Sequence, residues 1–139
     1  MIACFGELLL RLTAPGRELL LQRPHLDVHV GGAEANVAVG LAKLGHEAKL
    51  ISIVPDNALG DAALGYLRRH GVDASGVARS PGRIGLYFLA QGAGLRASEI
   101  IYDREGSSFA RASSTDFDWG RLLAGVDLLH MSGITPALG

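Results

Sequence analysis

The chain has a single cysteine among its 139 residues, Cys4, set in the apolar opening "MIACFG". An internal disulfide is impossible, and a reducing compartment is expected, with Cys4 a small buried hydrophobe rather than a reactive thiol. Charge of one sign is lacking too: 13 basic residues face 14 acidic ones, and no run of Lys or Arg offers a footprint for a polyanion. No nucleic-acid partner is expected. No stretch approaches the ~18 consecutive apolar residues of a membrane span, and the start lacks the pattern of a secretory leader. A cytoplasmic protein without membrane contact is the expectation. Neither G-x-G-x-x-G nor G-x-x-x-x-G-K-[ST] occurs, so the two familiar phosphate loops are excluded, as is the G-x-S-x-G nucleophile elbow. Ser132 in "HMSG" reads as a strand end. His25, His29, His46, His70 and His130 stand at no spacing with acids or Cys4 that suits a metal, and no metal ligand is assigned.

What is present is apolar and rich in glycine. Hydrophobic residues make up 48% and charged residues 19%, which suits one packed domain, and the 19 glycines mark element boundaries rather than a repeat. "IACFG" at 2–6 and "LLLRL" at 8–12 read as strands separated by Glu7, and "LDVHV" at 26–30 as a half-exposed strand. From Ala33 to Leu44 the positions Ala33, Val37, Leu41 and Leu44 predict a helix face, with Gly45 as its stop. "AKLISIV" at 48–54 predicts a buried strand, and residues 58–71 a helix with Leu59, Ala63, Tyr66, Leu67 and His70 on one face. "GVDASGVARSPG" at 71–82 carries no strand assignment. "IGLYFLA" at 84–90 and "SEIIYD" at 98–103 predict a hairpin, residues 114–125 a helix capped by Thr115 and Asp116, and "VDLLHMSG" at 126–133 another buried strand. The alternation implies an α/β fold with a parallel sheet and an antiparallel insertion. The ending "ITPALG" suggests the front part of a longer chain.

Two stretches could carry chemistry. In "VGGAEANVAVGLAKLG" at 30–45 two glycines precede the helix, with Glu34 and Asn36 in its first turn. A helix N-terminus offers unpaired N–H groups, glycine admits a ligand to the backbone, and Asn36 can donate and accept. The same residues also describe an ordinary turn with two polar side chains in water. In "IIYDREGSS" at 100–108, Tyr102 and Arg104 share strand parity and could grip a carboxylated or polyhydroxylated ligand. Alternatively, Arg104 pairs with Asp103 or Glu105 at an exposed strand end.

Together, "GGAEANVAVGLAKLG" at 31–45, "YDREGSS" at 102–108 and "HMSGITPAL" at 130–138 resemble the ribokinase-type (PfkB) carbohydrate kinases, and among them the 2-keto-3-deoxygluconate kinases. "FGELLLRL" and "GVDASGVARSPGRIGLYF" match in the same order. The resemblance implies a ribokinase-like three-layer sandwich with a small β-sheet lid, here truncated. Residues 1–139 would be the N-terminal part of one domain, with lid strands at about 8–30 and 84–103. It implies that Gly32, Ala33, Glu34, Ala35 and Asn36 hold the sugar, that Tyr87 and Tyr102 line the lid side, and that Arg104 reaches the substrate carboxylate or the phosphates. Glu105 and Gly106 would join Arg104 on the nucleotide side.

The implied activity is transfer of a phosphoryl group from ATP, with Mg²⁺, to a primary hydroxyl of a sugar acid, 2-keto-3-deoxygluconate becoming its 6-phosphate, in a homo-oligomer joined through the lid. Two departures stand out. Ile84 replaces a threonine common in such kinases, and the "GAGD" motif that supplies their catalytic Asp is absent, along with most of the ATP pocket. No catalytic residue is assigned, and the 139-residue chain alone is expected to be inactive. The alternatives are a fructokinase or ribokinase acting on a neutral sugar, and a non-catalytic sugar-binding or dimerisation module.

Overall fold

The computed structural model describes residues 1–135. In chain order its elements are β1 (Ile2–Phe5), β2 (Leu9–Thr13), β3 (Asp27–Gly31), α1 (Ala33–Lys43), β4 (Ala48–Pro55), α2 (Ala58–Arg69), β5 (Asp73–Ser80), β6 (Gly85–Ala90), β7 (Glu99–Asp103), a 3₁₀ turn at Ser114–Asp116, α3 (Trp119–Leu122) and β8 (Leu128–His130).

Parallel strands buried on both faces need apolar side chains on alternate sides. β4 supplies them, with Leu50 and Val54 in one core cluster and Ile51 and Ile53 in the other; β1 divides Cys4 and Ala3 in the same way. These strands lie in a four-stranded parallel sheet of order β5–β4–β1–β8. Helices α1 and α2 cover one face. On the other, Phe5 packs against Phe109, Phe117 and Trp119 at ring-centroid distances of 5.6, 5.2 and 5.0 Å. The result is a three-layer α/β sandwich, as expected.

A second four-stranded sheet has the order β3–β2–β6–β7, with β2 antiparallel to β3 and parallel to β6. The expected hairpin is the antiparallel pair β6–β7. Register places His29, Arg11, Tyr87 and Tyr102 in one cross-strand row, and Val28, Leu12, Phe88 and Ile101 in the next row on the opposite face.

Several elements differ from expectation in ways that have physical causes. Helix α1 lies where expected but is rotated: it buries Glu34, Ala35 and Ala38, while Val37 is exposed and Leu44 is 78% exposed. Short alanines let the helix backbone approach the sheet, and the bonds made by Glu34 hold that face inward. Helix α2 buries Gly60, Ala63, Leu64 and Leu67, leaves Leu59 half exposed, and ends at Arg69 with His70 as its C-cap. A Cβ at residue 60 would collide with the Pro55 carbonyl, so this glycine sets the contact face.

β5 occupies most of the stretch left without a strand. Asp73, Ser75, Gly76 and Ser80 are poor strand formers, yet pairing with β4 carries them as a sheet edge. The helix expected at 114–125 is broken at Phe117, which is extended and packs into the aromatic cluster. Asp116 closes a capping box with Ser113 rather than capping a long helix, and Asp118 caps α3, its Oδ1 accepting from Arg121 N at 3.1 Å. The strand expected buried at 126–133 is reduced to β8, an exposed edge with Leu128 54% exposed.

Candidate functional site

Helix α2 is capped by Asn57, whose Oδ1 accepts from Leu59 N at 3.0 Å and Gly60 N at 3.2 Å. Helix α1 has no such cap. It begins at Gly32, which has φ 141° and no side chain to satisfy the first turn. An alanine there would be strained, and its Cβ would collide with the carbonyl oxygen of Glu7. The uncapped N-terminus opens on a cavity of about 190 Å³ lined by Gly32, Ala33, Glu34 and Asn36 from α1 and by Tyr87, Tyr102 and Arg104 from the second sheet and the loop that follows it. Free N–H groups and the positive end of the helix dipole therefore face a small concave site.

Two buried glutamates form its floor. Glu7, 4% exposed, accepts a 2.6 Å hydrogen bond on Oε1 from the Ser107 hydroxyl. Its Oε2 lies 2.6 Å from Arg104 Nη2. That contact is an ion pair without an aligned hydrogen bond, and Arg104 Nε is buried with no partner. Arg104 therefore has donors to spare beside the cavity. Glu34, 2% exposed, accepts from Ser132 N at 2.9 Å on Oε1, and the Thr135 hydroxyl lies 3.4 Å from the same oxygen. Glycines make room for both carboxylates: a Cβ at Gly6 would overlap the Glu34 carboxylate, and one at Gly85 would sit 2.5 Å from Glu7 Oε1.

The second sheet supplies the opposite wall. Tyr87 and Tyr102 are cross-strand partners with ring centroids 5.7 Å apart, and the Arg104 guanidinium carbon lies 5.7 Å from the Tyr102 centroid. Asp103 faces away and pairs with Arg83 at 2.9 Å. Parity thus separates Tyr102 from Asp103 as expected. The carboxylate beside Arg104 is Glu7, 97 residues earlier in the chain, instead of Asp103 or Glu105.

Gly32, Ala33, Glu34, Asn36, Tyr87, Tyr102 and Arg104 all line this one cavity. Ala35 does not; it is packed in the core beneath α1. Glu105 and Gly106 are exposed in the turn after β7 and line none of its wall. Ile84 is a buried core residue, so its lack of a hydroxyl removes nothing from the lining. Of "HMSGITPAL", residues 136–138 fall outside the described residues; Ile134 and Thr135 reach the cavity. Glu7, Ser107 and Thr135 were not singled out from sequence. The signal available for Glu7 was a lone charge inside an apolar run.

Burial, with the nearby charge of Glu34, pushes the Cys4 thiol up to about 11, which makes it an inert core group as expected. Among the described residues no group of three His, Cys, Asp or Glu could hold a metal ion.

A sequence profile for the pfkB family carbohydrate kinases matches residues 1–138. A 2-dehydro-3-deoxygalactonokinase of Haloferax volcanii is 34% identical over 99% of this chain and 43% of its own length. The crystal structure of a 2-dehydro-3-deoxygluconokinase from Thermotoga maritima superposes with a TM-score of 0.96 at 47% identity, over 99% of this chain and 42% of that one. A sugar kinase of Pyrococcus horikoshii, crystallised in complex with ATP, gives a TM-score of 0.86 at 26% identity over 99% of this chain and 44% of its own. The chain thus spans less than half the length of each of these relatives.

Proposed function

Because the chain belongs to the pfkB family of carbohydrate kinases, we propose that it forms the acceptor-binding side of an ATP-dependent kinase that phosphorylates a primary hydroxyl of a sugar acid. 2-keto-3-deoxygluconate, giving its 6-phosphate, is the substrate of choice. The observation that carries this is the meeting of an uncapped helix N-terminus with an arginine that has unused donors, in a cavity of about 190 Å³. In this proposal the N–H groups of α1 and Asn36 hold hydroxyl and carbonyl oxygens, Tyr87 and Tyr102 flank the sugar, and Arg104 takes the carboxylate. The named activities of the Haloferax and Thermotoga relatives, on 2-dehydro-3-deoxy sugar acids, support the same class.

Within this proposal the second sheet acts as a lid that keeps water from the phosphoryl group. Its row Val28, Leu12, Phe88 and Ile101, exposed at both ends and half-buried between them, is suited to pairing with a second copy. No catalytic base is assigned among the described residues. The base and most of the ATP-binding surface are proposed to come from the additional length that the relatives possess. No cluster of three His, Cys, Asp or Glu among the described residues could cage a metal ion by itself, so in this proposal Mg²⁺ would enter with the phosphates of ATP. No helix among the described residues is long and apolar enough to cross a membrane, and a cytoplasmic location belongs to the same proposal.

One observation favours a neutral sugar instead: Glu7 already balances the charge of Arg104. An entering carboxylate must share that arginine, whereas a neutral sugar need only exploit the acceptors. Calorimetry with 2-keto-3-deoxygluconate, gluconate, fructose and ATP on the wild-type chain and an Arg104→Ala variant separates the two. Loss of a charge-assisted hydrogen bond should weaken the sugar acids by about 10- to 100-fold and fructose by far less. Equal losses for both, or none, would sink the sugar-acid assignment. Sugar binding without ATP binding or turnover would leave the chain as a sugar-binding module.

A further inference from the structure

A second cleft, of about 330 Å³, lies beyond Asn36 and Tyr87, where β2 and β3 approach the last turn of α2. Arg11, His29 and Arg69 line it with Asn36, Tyr66 and Tyr87, and no Asp or Glu does. The nearest acid along the same face of β3 is Asp27, one pleat beyond His29. Of the other arginines, Arg23, Arg79, Arg83, Arg104 and Arg121 each pair with a carboxylate, Arg96 and Arg111 donate to backbone carbonyls, and Arg17 and Arg68 stand exposed in water. Among the described residues neither Arg11 nor Arg69 has such a partner, and Arg11 Nε is buried without any acceptor.

We propose that this cleft binds a compact oxyanion, a phosphoryl or carboxylate group carried by a small molecule, next to the sugar cavity. A partly buried guanidinium without an acceptor bears a desolvation cost that an oxyanion removes. Two forks are available from different elements. Arg11 is held in the sheet between its cross-strand partners His29 and Tyr87, and Arg69 lies along α2 over Gly65, where a Cβ would sit 3.6 Å from its Nη1. The phenol of Tyr87 and the amide of Asn36 complete a donor-rich wall. Both of these residues also line the first cavity, so occupancy of one site alters affinity at the other, reciprocally.

The anion could be a free small molecule or a group on the sugar ligand itself, and the two are separable by calorimetry on the 139-residue chain. Inorganic phosphate is titrated alone, after saturation with 2-keto-3-deoxygluconate, and in competition with the 6-phosphate of that sugar acid. Uptake of phosphate on top of bound sugar acid identifies a separate anion; displacement of phosphate by the sugar phosphate, with one molecule bound per chain, identifies a group on the ligand. Arg69→Ala and Arg11→Gln are each expected to weaken phosphate by about tenfold, the scale of one charge-assisted hydrogen bond. Arg104→Ala should leave phosphate binding unchanged. Arg69 is exposed, so its variant should fold, and Arg11→Lys keeps the charge if Arg11→Gln does not. Phosphate affinity that is undetectable, that survives both cleft substitutions, or that falls equally with Arg104→Ala overturns the site. Failure of the sugar acid to bind, with phosphate still sensitive to Arg69, would overturn the substrate assignment above and leave this site standing.

Discussion

Glu7 is the only charged side chain between Ile2 and Leu10, and its surroundings explain why the strand breaks there. A carboxylate that is 4% exposed must be compensated, and the compensation comes from far along the chain, from the Ser107 hydroxyl and the Arg104 guanidinium. Glu7→Gln keeps the volume and an acceptor for Ser107 but strips Arg104 of its counter-charge. Because Arg104 borders a cavity and can regain water, the cost should be about 1–3 kcal/mol, below that of breaking a fully enclosed pair. Denaturant unfolding measures it. The same change frees Arg104, so sugar acids should bind the variant more tightly relative to neutral sugars. An unchanged unfolding midpoint together with an unchanged ligand preference would show that the pair matters to neither. Glu34 shows the limit of local inspection. Its position in the first turn of α1 is visible in sequence, but its partner Ser132 lies 98 residues away, and nothing in the spacing announces that contact.

Helix α1 shows how an element can be located correctly and oriented wrongly. Val37, Leu41 and Leu44 carry the larger apolar side chains, so counting hydrophobicity turns that side inward; packing instead puts Ala35 and Ala38 at the centre, because only small side chains let the helix sit close to a twisted sheet, with Leu41 half-buried at the margin and Val37 and Leu44 exposed. Two substitutions separate these orientations. Val37→Ser should change stability by no more than about 0.5 kcal/mol, as for an exposed site, and Ala38→Leu should cost about 1–3 kcal/mol through overpacking. Thermal or denaturant melts of both variants decide the matter, and a reversed order would contradict the observed face. The strands with strong apolar runs, β1, β2, β4 and β6, were legible, because parallel or half-buried strands need such runs, and β7, exposed throughout, was legible from the strand propensity of Ile100, Ile101 and Tyr102. β5 was not: its Asp, Ser and Gly residues are tolerated only because β4 already offers a paired edge, a tertiary effect outweighing local propensity. Gly32, Asn36, Tyr87, Tyr102 and Arg104 were legible as one constellation through family resemblance, and the structure gathers them around one cavity, whereas Gly31, the other glycine of the pair, borders the neighbouring cleft. Ala35 was carried along by adjacency alone, and the helical period turns it away into the core.

At the scale of the molecule, two exposed apolar surfaces make different demands. Among the described residues β8 is the outer strand of the parallel sheet, with Leu128 and Leu129 exposed, followed by exposed Met131 and Ile134. The second sheet presents Val28 and Ile101 at either end of a row completed by Leu12 and Phe88. An open strand edge can add another chain without closing, which leads to growth rather than to a defined oligomer. A flat sheet face can meet its own copy about a twofold axis, and closes after one partner. The 139-residue chain is therefore expected to form dimers through the second sheet and, at higher concentration, larger species through β8. Ile101→Lys sets a charge at one end of the apolar row of the dimer face and should shift the chain to monomer, with little effect on the unfolding midpoint because residue 101 is already exposed. Leu129→Lys should suppress the larger species and leave the dimer intact. Sedimentation velocity on wild type and both variants across a concentration series reads the two processes separately. Dimers that persist in Ile101→Lys but vanish in Leu129→Lys would transfer the interface to the parallel sheet, and a wild-type chain that stays monomeric throughout would show that both surfaces are tolerated in water.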